Sequence, residues 1–296
     1  MNCAIGIVTY QPDISRLAEN LKAALASTMA SRVMIYDNHS DNIAAIRELT
    51  ASDSRCLLME SNVNQGIAHA LNALCQKALD EGYVWILTLD QDSVIPEGLL
   101  EEYSRYTDQE GVGIICPGII DRNRGREYTR QTSGTEYIRQ CITAGNLVSL
   151  KAWQQTGGYT EELFIDGVDF DFCMKMGEAG YKILRTNDVC LLQEVGRGRK
   201  IPLPFHHQMS VLNHPPMRLY YIARNYLYIG RRYHQRWHWA LEVARRMFIV
   251  ACFEDNRLAK LRAMLKGIKD SKKIGHGSAR LCRLLPKGRK NTELNG

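Results

Sequence analysis

The chain has 296 residues and a mass of 33.7 kDa, room for one large domain or for a catalytic domain with an appendage. Hydrophobic residues make up 45% and charged residues 24%, with 23 Gly and 8 Pro, which excludes a collagen, a disordered chain and a disulfide-rich miniprotein. The net charge of +6 is unevenly spread: residues 231–296 hold 17 Lys and Arg against 5 Asp and Glu, so an acidic body carries a basic tail suited to an anionic partner such as a phospholipid surface, a phosphorylated acceptor or nucleic acid.

Nine cysteines lie far apart with no CxxC pair, and no signal peptide is legible at the N-terminus, so reduced thiols in a cytoplasmic protein are expected and no structural zinc site is visible. The longest apolar run, 247–253, falls far short of the roughly 20 residues of a membrane span.

In chain order, strands are expected at 3–9, 33–37, 56–60, 84–90 and 113–117, those at 3, 33 and 84 with the continuous apolar character of strands covered on both faces. Between them, Leu17, Leu21 and Leu25 share one helical face, and Ile67, Leu71, Leu74 and Ala78 another. The alternation predicts an α/β fold with a mostly parallel sheet that binds ligands at the carboxyl ends of its strands. Short strands near 137–142 and 147–150 and a helix over 170–179 complete the domain. Residues 193–217, rich in Gly, Pro, His and Arg, read as a long mobile loop. Helices follow at 217–234, 237–253 and 257–269; in the last, Leu258, Leu261, Leu265 and Ile268 share a face ringed by Lys and Arg.

Four features carry chemistry. Leu89-Asp90-Gln91-Asp92 ends an apolar strand with two carboxylates spaced i, i+2, able to converge on one hard divalent cation or to sit in a solvated turn. Asp166, Asp169 and Asp171 cluster at a helix start among Phe164, Phe170 and Phe172; capping explains one or two of them, and the one left desolvated is a candidate general base. Asp37 ends a second strand, where an acid can accept hydrogen bonds from a nucleoside, and Asn64-Gln65-Gly66 opens a helix; each also reads as a plain cap or turn.

The succession Val8-Thr9-Tyr10, Asp37-Asn38-His39-Ser40, Asn64 to Asn72, Leu89-Asp90-Gln91-Asp92 and Val168-Asp169-Phe170-Asp171 resembles the family 2 glycosyltransferases of GT-A fold, over residues 3 to about 234. Leu-Asp-Gln-Asp-Ser at 89–93, Leu163-Phe164-Ile165-Asp166, and Arg218-Leu219-Tyr220-Tyr221 with Arg224-Asn225 are similar to the bacterial rhamnosyltransferases, which use dTDP-L-rhamnose to extend lipid-linked polysaccharides such as O-antigen. The resemblance implies that Thr9, Tyr10 and Asp37 lie near base and ribose with Asn64 beside them, and that Asp90 faces ribose and metal. It makes Asp92 the main ligand of Mg2+ or Mn2+ and Asp169 the catalytic base, with Asp166 in the substrate site and Arg224 either on the diphosphate or simply an exposed helix arginine. Val168 stands where relatives carry the first acid of a Glu-Asp pair, and Gln193-Glu194-Val195-Gly196 where they often have a metal-binding His; His206, His207 and His214 are the substitutes at hand.

The implied reaction is single displacement with inversion, Asp169 taking the proton of an acceptor hydroxyl as it attacks the anomeric carbon. The implied organisation is a catalytic domain over 1–235, with a nucleotide-binding half 1–117 and an acceptor half 118–235, and a basic helical extension over 236–296. That extension either docks on the inner leaflet of the bacterial inner membrane, near a polyprenyl-diphosphate-linked acceptor, or packs on the catalytic domain or on a second subunit of a homodimer. Two rivals remain: a glycoside hydrolase also uses paired carboxylates but needs no nucleotide-binding half, and a nucleic-acid binder would use the tail but leave the acidic site without purpose.

Overall fold

Strand β1 (Cys3–Thr9) is buried at all seven positions, which is why its run of Ala, Ile, Gly and Val carries no polar alternation. In this computed structural model, which describes residues 1–121, 126–127, 133–193, 199–202 and 208–275, β1 lies between β2 (Ala30–Asp37) and β4 (Trp85–Asp90), parallel to both. β3 (Cys56–Glu60) extends the parallel half beyond β2. On the other side come β8 (Asn146–Ser149), antiparallel to β4, then β5 (Val112–Asp121), β9 (Lys182–Gln193) and the edge strand β7 (Thr135–Ile138). The two-residue β6 (Arg126–Glu127) pairs with the end of β5. The expectation of a mostly parallel central sheet holds: β8, antiparallel to both β4 and β5, and the edge strand β7 are reversed, while β5 and β9 run with β1 to β4.

Helices cover both faces. On one, α1 (Ile14–Ala26), α2 (Ile43–Thr50) and α4 (Leu99–Ser104) bury Leu17, Leu21, Ile46, Leu99 and Tyr103 against β1 and β4. On the other, α3 (Ile67–Asp80), α5 (Leu150–Thr156) and α6 (Val168–Glu178) bury Leu71, Leu74, Trp153, Phe172 and Met176. α1 starts where Asp13 accepts hydrogen bonds from the amides of Ser15 and Arg16, an ordinary N-cap. The register is what builds the site: Thr9 pairs with Asp37 and Val8 with Asp90, so the ends of β1, β2 and β4 lie side by side on one edge.

A third layer holds α7 (Pro216–Arg232), α8 (Arg236–Phe253) and α9 (Arg257–Asp270), which share a core of Leu219, Ile222, Ala223, Val243, Val250 and Met264. One expectation is corrected here. The loop over 193–217 contains an antiparallel ribbon, β10 (Arg199–Pro202) and β11 (Gln208–Val211), whose strands are too short to leave a periodic pattern among the Gly and Pro around them. The inner face of α9 is also rotated from the Leu258–Ile268 stripe: Lys260, Met264 and Gly267 are buried while Leu258 and Leu265 are 71% and 56% exposed.

The rotation has two causes. Lys260 is drawn inward by an ion pair with buried Glu254 at 2.9 Å and by the Asn213 side chain. Gly267 lets α9 approach α7 so closely that a Cβ there would lie 2.3 Å from the Tyr220 carbonyl oxygen. Gly267→Ala is expected to destabilise the protein by about 1–3 kcal/mol, the usual cost of overpacking against rigid backbone, read as a lowered midpoint in urea unfolding.

Candidate active site

At the shared strand edge, the side chains of β1 and β2 lock onto each other. The Thr9 hydroxyl donates to Asp37 Oδ1 at 2.9 Å, and the Ser40 hydroxyl and amide donate to the two Asp37 oxygens at 2.6 and 2.8 Å. Thr9 is fully buried and Asp37 nearly so, which makes this pair the rivet of the turn rather than an open surface. Tyr10 stands out from it, 48% exposed, with its amide donating to the Gln91 side chain at 2.8 Å. Gln91, the middle residue of the DQD turn, thus ties the end of β1 to the end of β4.

The Asn64 carboxamide caps its own turn by accepting from the Gly66 amide at 3.0 Å, and Asn38 Oδ1 accepts from the Gln65 amide at 2.8 Å. Gly66 has φ +85°, and a Cβ there would sit 2.5 Å from the Phe164 carbonyl oxygen, which accepts from the Ile67 amide at 2.8 Å. The nucleotide-side turn therefore abuts residues 164–169. One helical turn along α3, Asn72 holds the adjoining segment, donating to Tyr159 O and Glu161 Oε1 and accepting from the Tyr159 amide and the Trp153 indole.

Residues 164–167 are the most contorted backbone on this edge, with φ of +64° at Phe164, +62° at Asp166 and +80° at Gly167. Non-glycine residues adopt such angles only where the surroundings over-determine them. Here the clamp is Asn225 of α7, fully buried, whose amide nitrogen lies 2.8 Å from the carbonyl oxygens of Leu163, Ile165 and Asp166. Arg224 reinforces it, reaching the carbonyls of Glu162 and Leu163 while its guanidinium lies over Tyr221, 4.6 Å from the ring centroid. Those bonds tie Arg224 to the loop.

The three clustered carboxylates then separate by partner. Asp166 is held by Arg218 through hydrogen bonds of 3.0–3.1 Å involving both carboxylate oxygens. Asp171 is fully buried and accepts from Thr160 at 2.6 Å and Tyr233 at 2.9 Å. Asp169 accepts from the Phe170 amide at 2.9 Å and from its own amide. No aspartate caps α6: Gly167 occupies the N-cap without a side-chain bond, which corrects the capping expectation. Burial pushes the Asp169 carboxyl up to about 6, helped by the negative charges of Asp166 and Asp90 and opposed by the backbone bonds. A carboxylate poised there takes a proton near neutral pH.

Asp90 ends β4 and Asp92 lies just past it, both half-buried, and the charge of Asp90 is felt by Asp169, which brings the end of β4 near the first turn of α6. Among the described residues no group of three or more His, Cys, Asp or Glu gathers to hold a metal ion. The fit is nevertheless sound for a hard cation, which accepts two carboxylates and completes its shell with phosphate oxygens and water. Gln193 ends β9, while Glu194 to Gly196, His206 and His207 lie outside the described residues. His214 is held neutral, its pKa pushed down to about 3 by burial and by Arg218, Arg246 and Lys260.

The model of the family described as Glycosyl transferase family 2 matches residues 4–174, well over half of the chain and the whole run from β1 through Asp169. The chain belongs to glycosyl transferase family 2. A Shigella flexneri protein of this kind, dTDP-rhamnosyl transferase RfbF, is 28% identical over 251 residues, covering 77% of this chain and 79% of that one. Among solved structures, Staphylococcus aureus TarS 1–349 in complex with UDP-GlcNAc has a TM-score of 0.61 at 13% identity, covering 92% of this chain and 81% of that one. The mannosyltransferase PcManGT from Pyrobaculum calidifontis, with GDP-Man and Mn2+, has a TM-score of 0.56 at 14% identity, covering 95% and 78%. At such identities these likenesses establish the GT-A fold of the glycosyltransferase. The hydrolase and nucleic-acid readings are left without support.

Gln91, Asn72, Arg218 and Asn225 escaped prediction as positioning residues, because each reads along the chain as an ordinary polar turn or helix residue. Asn225→Ala leaves the Ile165 and Asp166 carbonyls without this donor and Leu163 with Arg224 alone, and removing a buried hydrogen-bond partner costs about 1–3 kcal/mol. We expect at least a tenfold fall in kcat for glycosyl transfer with nucleotide affinity nearly unchanged, checked by steady-state kinetics beside calorimetric titration.

Proposed function

We propose that the enzyme is an inverting transferase that moves L-rhamnose from dTDP-L-rhamnose to a hydroxyl of a saccharide acceptor carried on polyprenyl diphosphate, in bacterial cell-surface polysaccharide synthesis such as that of O-antigen. The observation that carries the reaction type is the isolation of Asp169: of three neighbouring acids it alone keeps a carboxylate without a cationic or hydroxyl partner among the described residues, with its pKa raised to about 6. Support for the donor is the similarity to a dTDP-rhamnosyl transferase over 77% of this chain.

In this reading the acceptor hydroxyl approaches Asp169, which takes its proton as the oxygen attacks the anomeric carbon from the face opposite the departing nucleotide. Thr9 and Asp37 hold the floor of the nucleoside pocket, Tyr10 contributes its exposed ring, and Asn64 shapes the neighbouring turn. Asp92, with Asp90, would hold Mg2+ or Mn2+, whose chemistry is to offset the charge gathering on the leaving diphosphate. Both cation and nucleotide sugar accompany relatives of this fold, Mn2+ with GDP-Man in PcManGT. Asp166 and Arg218 fix the rim of the same pocket, and Arg224 with Asn225 sets its backbone.

For organisation we propose a catalytic unit over 1–235, with nucleotide-binding and acceptor halves meeting near 117, and an appended helical layer over 236–296. Such an acceptor places the enzyme in the cytoplasm, at the inner face of the inner membrane. Among the described residues no helix is long and apolar enough to cross a membrane.

Calorimetric titration with dTDP, UDP and GDP, each with Mn2+ or Mg2+ and again with EDTA, tests the reading. Tightest binding of dTDP, lost in EDTA and weakened at least tenfold in Asp92→Ala, is expected. Preference for UDP or GDP moves the donor while keeping the reaction, and equal binding in EDTA removes the metal.

A further inference from the structure

The outward side of α8 is apolar along its whole length. Trp237, Leu241, Ala244, Phe248, Ala251 and Cys252 fall within a narrow arc at 100° per residue, and every one is exposed, Trp237 by 90%, Leu241 by 69% and Phe248 by 63%. The opposite side carries the residues that hold the helix to the protein: Trp239, Val243, Ile249 and Val250 are all buried. An 18-residue helix with large apolar side chains aligned on its water-facing side is far from the usual polar outer face of a globular helix.

The exposed charge of the segment that carries this stripe is one-sided. Between 236 and 275, eight Lys and Arg are exposed (Arg236, Arg245, Arg257, Arg262, Lys266, Lys269, Lys272 and Lys273) against one exposed acid, Asp255. Glu242, half-buried, is taken up by Arg245 at 2.9 Å. The exposed side of α9 continues the theme, with Leu258 and Leu265 alternating with Arg262 and Lys269 at helical spacing.

We propose that this face is an interfacial docking surface for an anionic phospholipid bilayer, with α8 lying in the plane of the headgroups and Trp237, Leu241 and Phe248 entering the acyl boundary. Helices that lie on membranes combine such an apolar stripe with flanking cations, and anionic lipid adds attraction for each Lys or Arg held near it. A second copy of the chain fits less well, since a two-fold contact would bring two cationic faces together. Nucleic acid would match the cations but leave Trp237, Leu241 and Phe248 without a partner.

The buried side of α8 gives the docking a consequence for the site. Trp239 packs with its ring centroid 5.6 Å from that of Phe170, the residue after Asp169, and 4.7 Å from that of Tyr226 on α7. A helix resting on the bilayer thus touches the catalytic helix directly, fixing the height of Asp169 above the lipid surface. The proposal does not depend on which nucleotide sugar the enzyme uses.

The test uses the full chain with vesicles of phosphatidylcholine alone and of phosphatidylcholine with phosphatidylglycerol. Trp237 is the exposed one of four tryptophans; Trp85, Trp153 and Trp239 are 7%, 7% and 4% exposed, so quenching by phospholipid brominated on its acyl chain reports Trp237 with no substitution needed. Quenching and co-sedimentation with the anionic vesicles, weakened by added salt, are expected, as is at least a tenfold loss of binding in the Trp237→Ser/Leu241→Ser/Phe248→Ser variant with nucleotide affinity retained. Arg262→Glu/Lys269→Glu should lower binding to anionic vesicles alone. Absence of quenching, equal sedimentation of the triple variant, or a dimer in light scattering that the triple substitution dissociates without any vesicle binding overturns the proposal.

Discussion

The reactive geometry of this glycosyltransferase depends on one side-chain amide. Asn225 donates to three carbonyls of residues 163–166 and so holds a backbone that bends through positive φ at Phe164, Asp166 and Gly167. That bend sends Asp166 to Arg218, starts α6 at Val168 and leaves Asp169 in the first turn, facing the carboxylate end of β4. Remove the clamp, and nothing else among the observed contacts satisfies the Ile165 and Asp166 carbonyls while keeping the bend. Gly66 and the Ile67 amide press on the same loop from the nucleotide side, so the two halves of the site are registered through Phe164.

This arrangement explains why three acids stand within six residues. A buried carboxylate needs partners, and Asp171 has Thr160 and Tyr233, while Asp166 has a guanidinium. Their satisfaction is structural. Asp169 is left with backbone amides alone, and its burial with two like charges nearby raises the carboxyl toward neutrality and makes it useful as a base.

Much of the fold was legible because the strands at 3–9, 33–37 and 84–90 are buried on both faces and read as unbroken apolar runs. A candidate base among Asp166, Asp169 and Asp171 was legible because more acids cluster there than caps could use, while the choice of Asp169 came from the resemblance. Asn225 was not, since it acts on residues about 60 positions away and looks like any helix polar residue. Asp37 and Asn64 were read from a strand end and a helix-opening turn, Arg224 with the resemblance, and each spends its observed bonds on the protein's own turns. In α9 the leucine spacing showed an apolar stripe but not which side faces inward, because a buried ion pair and a glycine contact decided the packing.

The account stands most directly on the protonation of Asp169, and the pH dependence of kcat/KM for glycosyl transfer measures it. A base must be ionised to act, so a folded-state pKa raised to about 6 leaves activity flat above that pH and falling tenfold per unit below it. Asp169→Asn should abolish transfer while leaving nucleotide binding intact. An acid limb near 6 together with an inactive Asp169→Asn is the predicted result; normal transfer by Asp169→Asn, or a profile with no acid limb between pH 5 and 7, would contradict the account.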